Sequence, residues 1–358
     1  MAWGKYGLIG ALLLCLCIVT GCTRVDSSKR LRIITWSDYV PADVAADFEK
    51  ETGIHVELTL SNNEEIISKL HATGGAGFDL AQPSVDRITG VEREFGLYKP
   101  IDLSKVHLEQ FRPEILAVAQ KTATLDGQLY ALPYLWGSEG MVVNNKFTQV
   151  ADYTDLCRPD LKGKTSMRLR RPTLMAFAFA MGQDPFALYG DPKAYAALME
   201  AVGKKLSECK SIVRFFFDNR DQLLNGMRSG EVVAAMMWDT GGWTLNRENP
   251  NLHYVVPKSG ALGWLDTFAL PYKGRNDAGA YKWINFTMRP DIAARITRKV
   301  GNWTAARGTE DLVDQRMRAQ FNESFPNGAF SGINWYPAIP PGLEALEGRI
   351  LDRVKAAN

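Results

Sequence analysis

Three places along the chain set an indole beside a carboxylate: Trp36 with Asp38, Trp238 with Asp239, and Trp264 with Asp266. That pairing suits a small organic cation, because the ring face attracts positive charge and the carboxylate pairs with it. The third pair lies in Gly263-Trp264-Leu265-Asp266-Thr267-Phe268-Ala269-Leu270-Pro271, whose alternation predicts a strand with Trp264 and Asp266 on one face. By itself this stretch reads equally as a core tryptophan with a surface aspartate at a strand end. The recurrence of the pair favours a cation site. Other chemistries lack their residues. His55, His71, His107 and His253 stand far apart, and there is neither a Gly-x-Ser-x-Gly elbow nor a His-Glu-x-x-His helix. Gly163-Lys164-Thr165-Ser166 resembles the end of a phosphate loop, but Arg158 stands where the leading glycine is needed. No enzyme activity, metal or cofactor is therefore expected.

The elements that must position these residues follow from periodicity. Leu31-Arg32-Ile33-Ile34 predicts a buried strand that ends in the loop Thr35-Trp36-Ser37-Asp38-Tyr39. Pro41 opens a helix with an apolar stripe at Val44, Ala45 and Phe48, and Gly53 stops it. Asp38 could simply cap that helix. A strand over 55–60, a helix carrying Ile66, Ile67 and Leu70, and a strand over 78–81 come next. Such alternation marks an open α/β sheet, whose ligands sit beyond the carboxyl ends of the strands, here at Trp36–Tyr39 and Pro83–Asp86. Asp126-Gly127 predicts a turn between two short extended pieces, and 129–135 leads into Trp136-Gly137. A second α/β unit then runs through strands over 165–169, 212–217, 231–238 and 254–256, with helices over 172–181, 219–228 and 240–247. Helices near 276–288, 291–299, 309–319 and 342–356 complete the chain after the Trp264 strand.

The first residues speak to the compartment. Lys5 precedes an apolar run from Leu8 to Val19, and Val19-Thr20-Gly21-Cys22 follows. This is too short to span a membrane and has the layout of a secretory signal. Its ending resembles the bacterial lipoprotein processing site, which implies a mature chain beginning at a lipidated Cys22, tethered outside the membrane. An ordinary signal with an incidental cysteine is the alternative. The net charge of +2 falls to +1 without residues 1–21, which carry one lysine and no acid. Such balance argues against a nucleic-acid partner. The mature length, 358 residues less those 21, exceeds what one core usually supports, so two lobes are expected. Cys157 and Cys209 remain as a pair in an oxidising compartment, either disulfide-bonded or as two buried thiols.

Two α/β lobes on an exported chain suit a solute receptor, and specific residues narrow the family. Leu31 to Glu51, with Trp-Ser-Asp-Tyr-Val-Pro inside it, resembles the opening of the spermidine/putrescine-binding proteins of bacterial ABC importers. So do Phe78-Asp79-Leu80 with Pro83-Ser84, Leu132 to Gly137, Met237-Trp238, Gly263 to Thr267, and Ala280 to Pro290. The resemblance implies a type II periplasmic-binding-protein fold with the ligand between its lobes. It divides the chain into a signal (1–21), a tether (22–30), a first lobe (31–140 with 265–305) and a second (141–264 with 306–358). It implies a monomer that binds a small polyamine-like or other nitrogen-containing solute by lobe closure and hands it to a membrane permease. A sensor built on the same fold is the other possibility. In these relatives rings sandwich the methylene chain and carboxylates hold the ammonium ends. By position, the resemblance carries Trp36, Ser37, Asp38, Tyr39, Ser84, Trp238, Trp264 and Asp266 into the cleft. Asp239 is added by its tryptophan neighbour, while Asp86 replaces a family tyrosine.

One segment departs from the family. Where polyamine binders place acids, this chain reads Arg168-Leu169-Arg170-Arg171-Pro172-Thr173, at the start of a helix whose free N–H groups also favour an anion. A dication would be repelled there. The expectation is a ligand that keeps an amine near Asp266 or Asp38 and turns an anionic group toward Arg170, as an amino acid, opine or aminophosphonate would. Alternatively, the arginines face solvent or pair with Asp86 or Asp239.

Overall fold

A computed structural model describes residues 27–326 and 330–357; the expected signal and Cys22 lie outside the described residues. The opening alternation forms as the sequence predicts. Strand Arg30–Thr35 lies parallel to His55–Leu60 and to Leu80–Ala81. Helix Ala42–Thr52 buries Val44 and Phe48 and is stopped by Gly53 at φ 70°, a left-handed conformation that glycine adopts without a Cβ clash. Helix Asn63–Thr73 is capped by Asn62, whose side chain accepts from the Glu65 amide.

Two long strands join the halves of the molecule. Ala131–Asn144 is buried along its whole length and pairs antiparallel with Ala261–Pro271. At one end Ala269 pairs with both Ala131 and Ala81 of the first lobe. At the other end the 131–144 strand pairs with Ala234–Trp238 and Leu252–Val255 of the second. The sheet therefore continues through both lobes, in the order 55–60, 30–35, 80–81, 261–271, 131–144, 234–238, 165–167, 215–216. Sequence patterning carries the extended piece over 129–135 into Trp136-Gly137 and no further. The strand instead runs on to Asn144, since Gly137 and Gly140 are where other side chains cross it. A Cβ at Gly137 would meet Trp264 Cζ2 at 2.4 Å, and one at Gly140 would meet the Tyr254 hydroxyl at 2.6 Å.

Buried side chains gather into two clusters, one including Ile33, Phe48, Trp283 and Ile296, the other Met167, Phe177, Tyr195 and Leu206. The C-terminal helix Leu343–Ala356 packs on Pro192–Cys209 in the second cluster. Cys157 and Cys209 form a disulfide with Cα atoms 5.0 Å apart. The predicted 309–319 helix is instead two, Thr309–Leu312 and Gln315–Ser324, broken before Asp314, whose carboxylate caps the second by accepting from Met317 N.

Candidate ligand site

The junction of the lobes converges on Asp266. The strand carrying it shifts register between Asp266 and Thr267, and a bridge ties Asp266 to Ser84 at the carboxyl end of the 80–81 strand. The Asp266 residue is only 3 % exposed. One carboxylate oxygen accepts from the Ser84 hydroxyl at 2.5 Å, the other from the Tyr39 hydroxyl. Both donors are held in place. Asn63 donates to Ser84 Oγ at 2.9 Å and accepts from Ser84 N at 3.0 Å, while Tyr134 donates to the Tyr39 carbonyl at 2.6 Å. Trp36 is pinned by its indole N–H, which donates to the Gln82 carbonyl at 3.0 Å.

Burial pushes the Asp266 carboxyl up to about 6; the Ser84 and Tyr39 hydroxyls pull it down, and the charge of Asp86 adds to the rise. A carboxylate that is costly to ionise in the free protein is one that an ammonium ligand would stabilise.

A pocket of about 390 Å³ opens on this carboxylate, with Trp36, Tyr39, Trp238 and Trp264 among its walls. Its volume suits a small ligand. Glu139 and Arg168 line it too, and neither pairing nor placement was legible in advance. Glu139 is 3 % exposed. Arg168 Nη2 donates to both its oxygens, at 2.9 and 3.1 Å, and the guanidinium lies 4.1 Å from the centre of the Trp238 ring. Burial raises the Glu139 carboxyl above the usual range, with Arg168 opposing.

Of the three indole–carboxylate pairs, only Trp264 and Asp266 both line the pocket. Asp38 is exposed in a turn at φ 66°, and Ser37 beside it is exposed as well. Pro41, not Asp38, occupies the cap position of the following helix. Asp239 is buried and faces the protein: it accepts from Ser138 N at 2.7 Å, Ser138 Oγ at 3.0 Å and Thr240 N at 2.7 Å. Burial moves that carboxyl up to about 7, against those hydrogen bonds. Asp86 sits outside the pocket walls, 3.8 Å from Arg87 Nε, with its carboxyl raised by burial.

The arginine segment also differs from expectation. Arg170 is exposed at the helix cap position and does not line the pocket. Arg171 turns inward to Glu347 at 2.9 Å and lies 5.2 Å from the Tyr336 ring. Arg168 does reach the pocket, but already paired. The chain turns here from the Thr165–Met167 strand into the Arg171–Ala180 helix, so Arg168 just past the strand, Arg170 at the cap and Arg171 in the first turn point different ways and have three different fates. The partners of Arg168 and Arg171 come from distant segments that local patterning cannot identify. For Glu139, the signal is an acid in an otherwise small and apolar run, Gly137-Ser138-Glu139-Gly140-Met141.

Two α/β lobes joined by crossing strands, with a pocket between them, define a solute-binding protein of the periplasmic type. The sequence matches the bacterial extracellular solute-binding protein family over residues 43–318, and the chain belongs to it. It is 30 % identical over 282 residues to the spermidine/putrescine-binding periplasmic protein of Escherichia coli K12, covering 77 % of each chain. It is 27 % identical over the full length of both chains to the putrescine-binding periplasmic protein PotF of the same organism. The fold is shared with the PotD substrate-binding protein of a Streptococcus pneumoniae spermidine/putrescine ABC transporter, at a TM-score of 0.78 and 23 % identity, covering 92 % of this chain and 99 % of that one. The family is one of transport receptors that serve ABC permeases, not of enzymes. Among the described residues no helix is long and apolar enough to cross a membrane.

Proposed function

We propose that this chain is the lipid-anchored receptor of an ABC importer, binding a small polyamine-like or other nitrogen-containing solute between its lobes. The observation that carries this reading is Asp266: a buried carboxylate, oriented by Ser84 and Tyr39, at the floor of a pocket walled by Trp36, Trp238 and Trp264. An alkyl ammonium there would pair with Asp266 while its methylenes gain about 0.8 kcal/mol each on leaving water for the rings. The division into lobes at residues 31–140 with 265–305 and 141–264 with 306–358 is supported by the course of the 131–144 and 261–271 strands. Closure would pivot on those strands, with ligand contacts from both lobes favouring the closed state. The Val19-Thr20-Gly21-Cys22 signature supports a tether through Cys22.

The test is direct. The purified protein is analysed by mass spectrometry for carried-over solute, then titrated with aliphatic amines while its thermal stability is followed. A ligand that binds only the native state raises the melting temperature. Failure of every amine to do so, with Trp fluorescence equally unmoved, refutes the reading.

A further inference from the structure

The charges around the pocket leave room for one ligand cation, not two. Two carboxylates line it, Asp266 and Glu139, and a diamine could in principle use both. Glu139 is already taken by Arg168. We propose that Arg168 is a built-in cation standing where a second ligand ammonium would otherwise sit, so that the site selects a solute with one ammonium and an acceptor or anionic group at its other end, an amino-acid-like zwitterion rather than a diamine. This rests on the reading of Asp266 as an amine site and narrows it.

Two observations support the assignment. The Arg168 guanidinium makes the two contacts expected of a bound alkyl cation, a carboxylate at 2.9 Å and an indole face at 4.1 Å. Second, an adjoining cavity of about 660 Å³ shares Tyr39, Trp238 and Trp264 with the pocket. Around it stand Arg220, Arg247, Arg298, Lys299 and Arg316 against a single acid, Asp314. Among the described residues, none of these five cations makes an ion pair. Their summed potential attracts a carboxylate and opposes a second ammonium.

Putrescine, butylamine and 4-aminobutanoate share a four-carbon chain and differ in charge, so they isolate the effect. We would titrate wild type, Arg168→Met, Glu139→Gln and the double variant with each by calorimetry. Wild type is expected to bind 4-aminobutanoate roughly tenfold or more tighter than putrescine, the scale of a like-charge penalty. Arg168→Met should reverse that order by freeing Glu139, and the double variant should lose the putrescine gain. Should Arg168→Met fail to fold, Glu139→Gln still decides: with Arg168 left unopposed, the preference for 4-aminobutanoate over putrescine must widen. Putrescine binding to wild type as tightly as 4-aminobutanoate, or a ratio unmoved in the variants, overturns the proposal while leaving the amine site intact. Binding of none of the three to any variant overturns the amine reading itself, and this inference with it.

Discussion

Replacing Asp266 by asparagine tests the centre of the site with two independent readouts. The side chain keeps its size, and its remaining carbonyl can accept from either Ser84 or Tyr39, but the charge is gone. Removing one partner of a buried charged pair costs about 2–5 kcal/mol, so amine affinity should fall by a factor of roughly 30 to several thousand. The pH dependence gives the second readout. Since burial moves the Asp266 carboxyl up to about 6, wild type should hold its affinity above pH 6 and weaken toward tenfold per unit below it, as the carboxylate takes up the proton that a ligand cation must displace. The asparagine protein should be flat across that range. The same shift has a stability sign. A carboxyl whose pKa is raised on folding binds a proton more tightly in the native state. Free wild type therefore loses stability as pH rises from about 4 to 6, by about 3 kcal/mol in all, and recovers it when an ammonium binds. Asp266→Asn should lack that loss and be no less stable than wild type at pH 8. Calorimetric titration from pH 4.5 to 8 and urea unfolding over the same range measure both. An asparagine variant that binds its amine within threefold of wild type, with the same pH profile, would refute the role given to Asp266.

Other perturbations follow from the same structure. Gly137→Ala places a methyl 2.4 Å from Trp264 Cζ2, so the ring must move; a folded protein with ligand affinity down at least roughly tenfold is expected, at a stability cost of about 1–3 kcal/mol by urea unfolding. Asp239, with its carboxyl up at about 7 through burial, makes wild type lose stability as pH rises from about 4 to 7; Asp239→Asn should flatten that slope in unfolding curves taken across the window. Replacing Cys157 and Cys209 by serine opens a loop with a sequence separation of 52 residues and should lower the unfolding free energy by up to about 4 kcal/mol on the chain-entropy estimate, matching wild type unfolded under reducing conditions.

The sequence by itself determined a good deal. Period and punctuation defined the α/β alternation of the first lobe, down to the helix that Gly53 stops and the Asp126-Gly127 turn, since φ/ψ preference and apolar spacing are local properties. Motif order pointed to the family, and the Trp264–Asp266 alternation placed the central pair on one face. Only the tertiary structure decided which carboxylates matter. Asp38, Asp239 and Asp266 each neighbour a tryptophan in sequence, yet one is left in solvent, one is satisfied by Ser138 and Thr240, and one faces the pocket. The same holds for the cations: Arg168, Arg170 and Arg171 are indistinguishable as text, and their roles are set by Glu139, by solvent and by Glu347. A charge acquires its function from its burial and its partner. Those partners lie 29 and 176 positions away, brought close only when the 131–144 strand and the C-terminal helix pack against the second lobe.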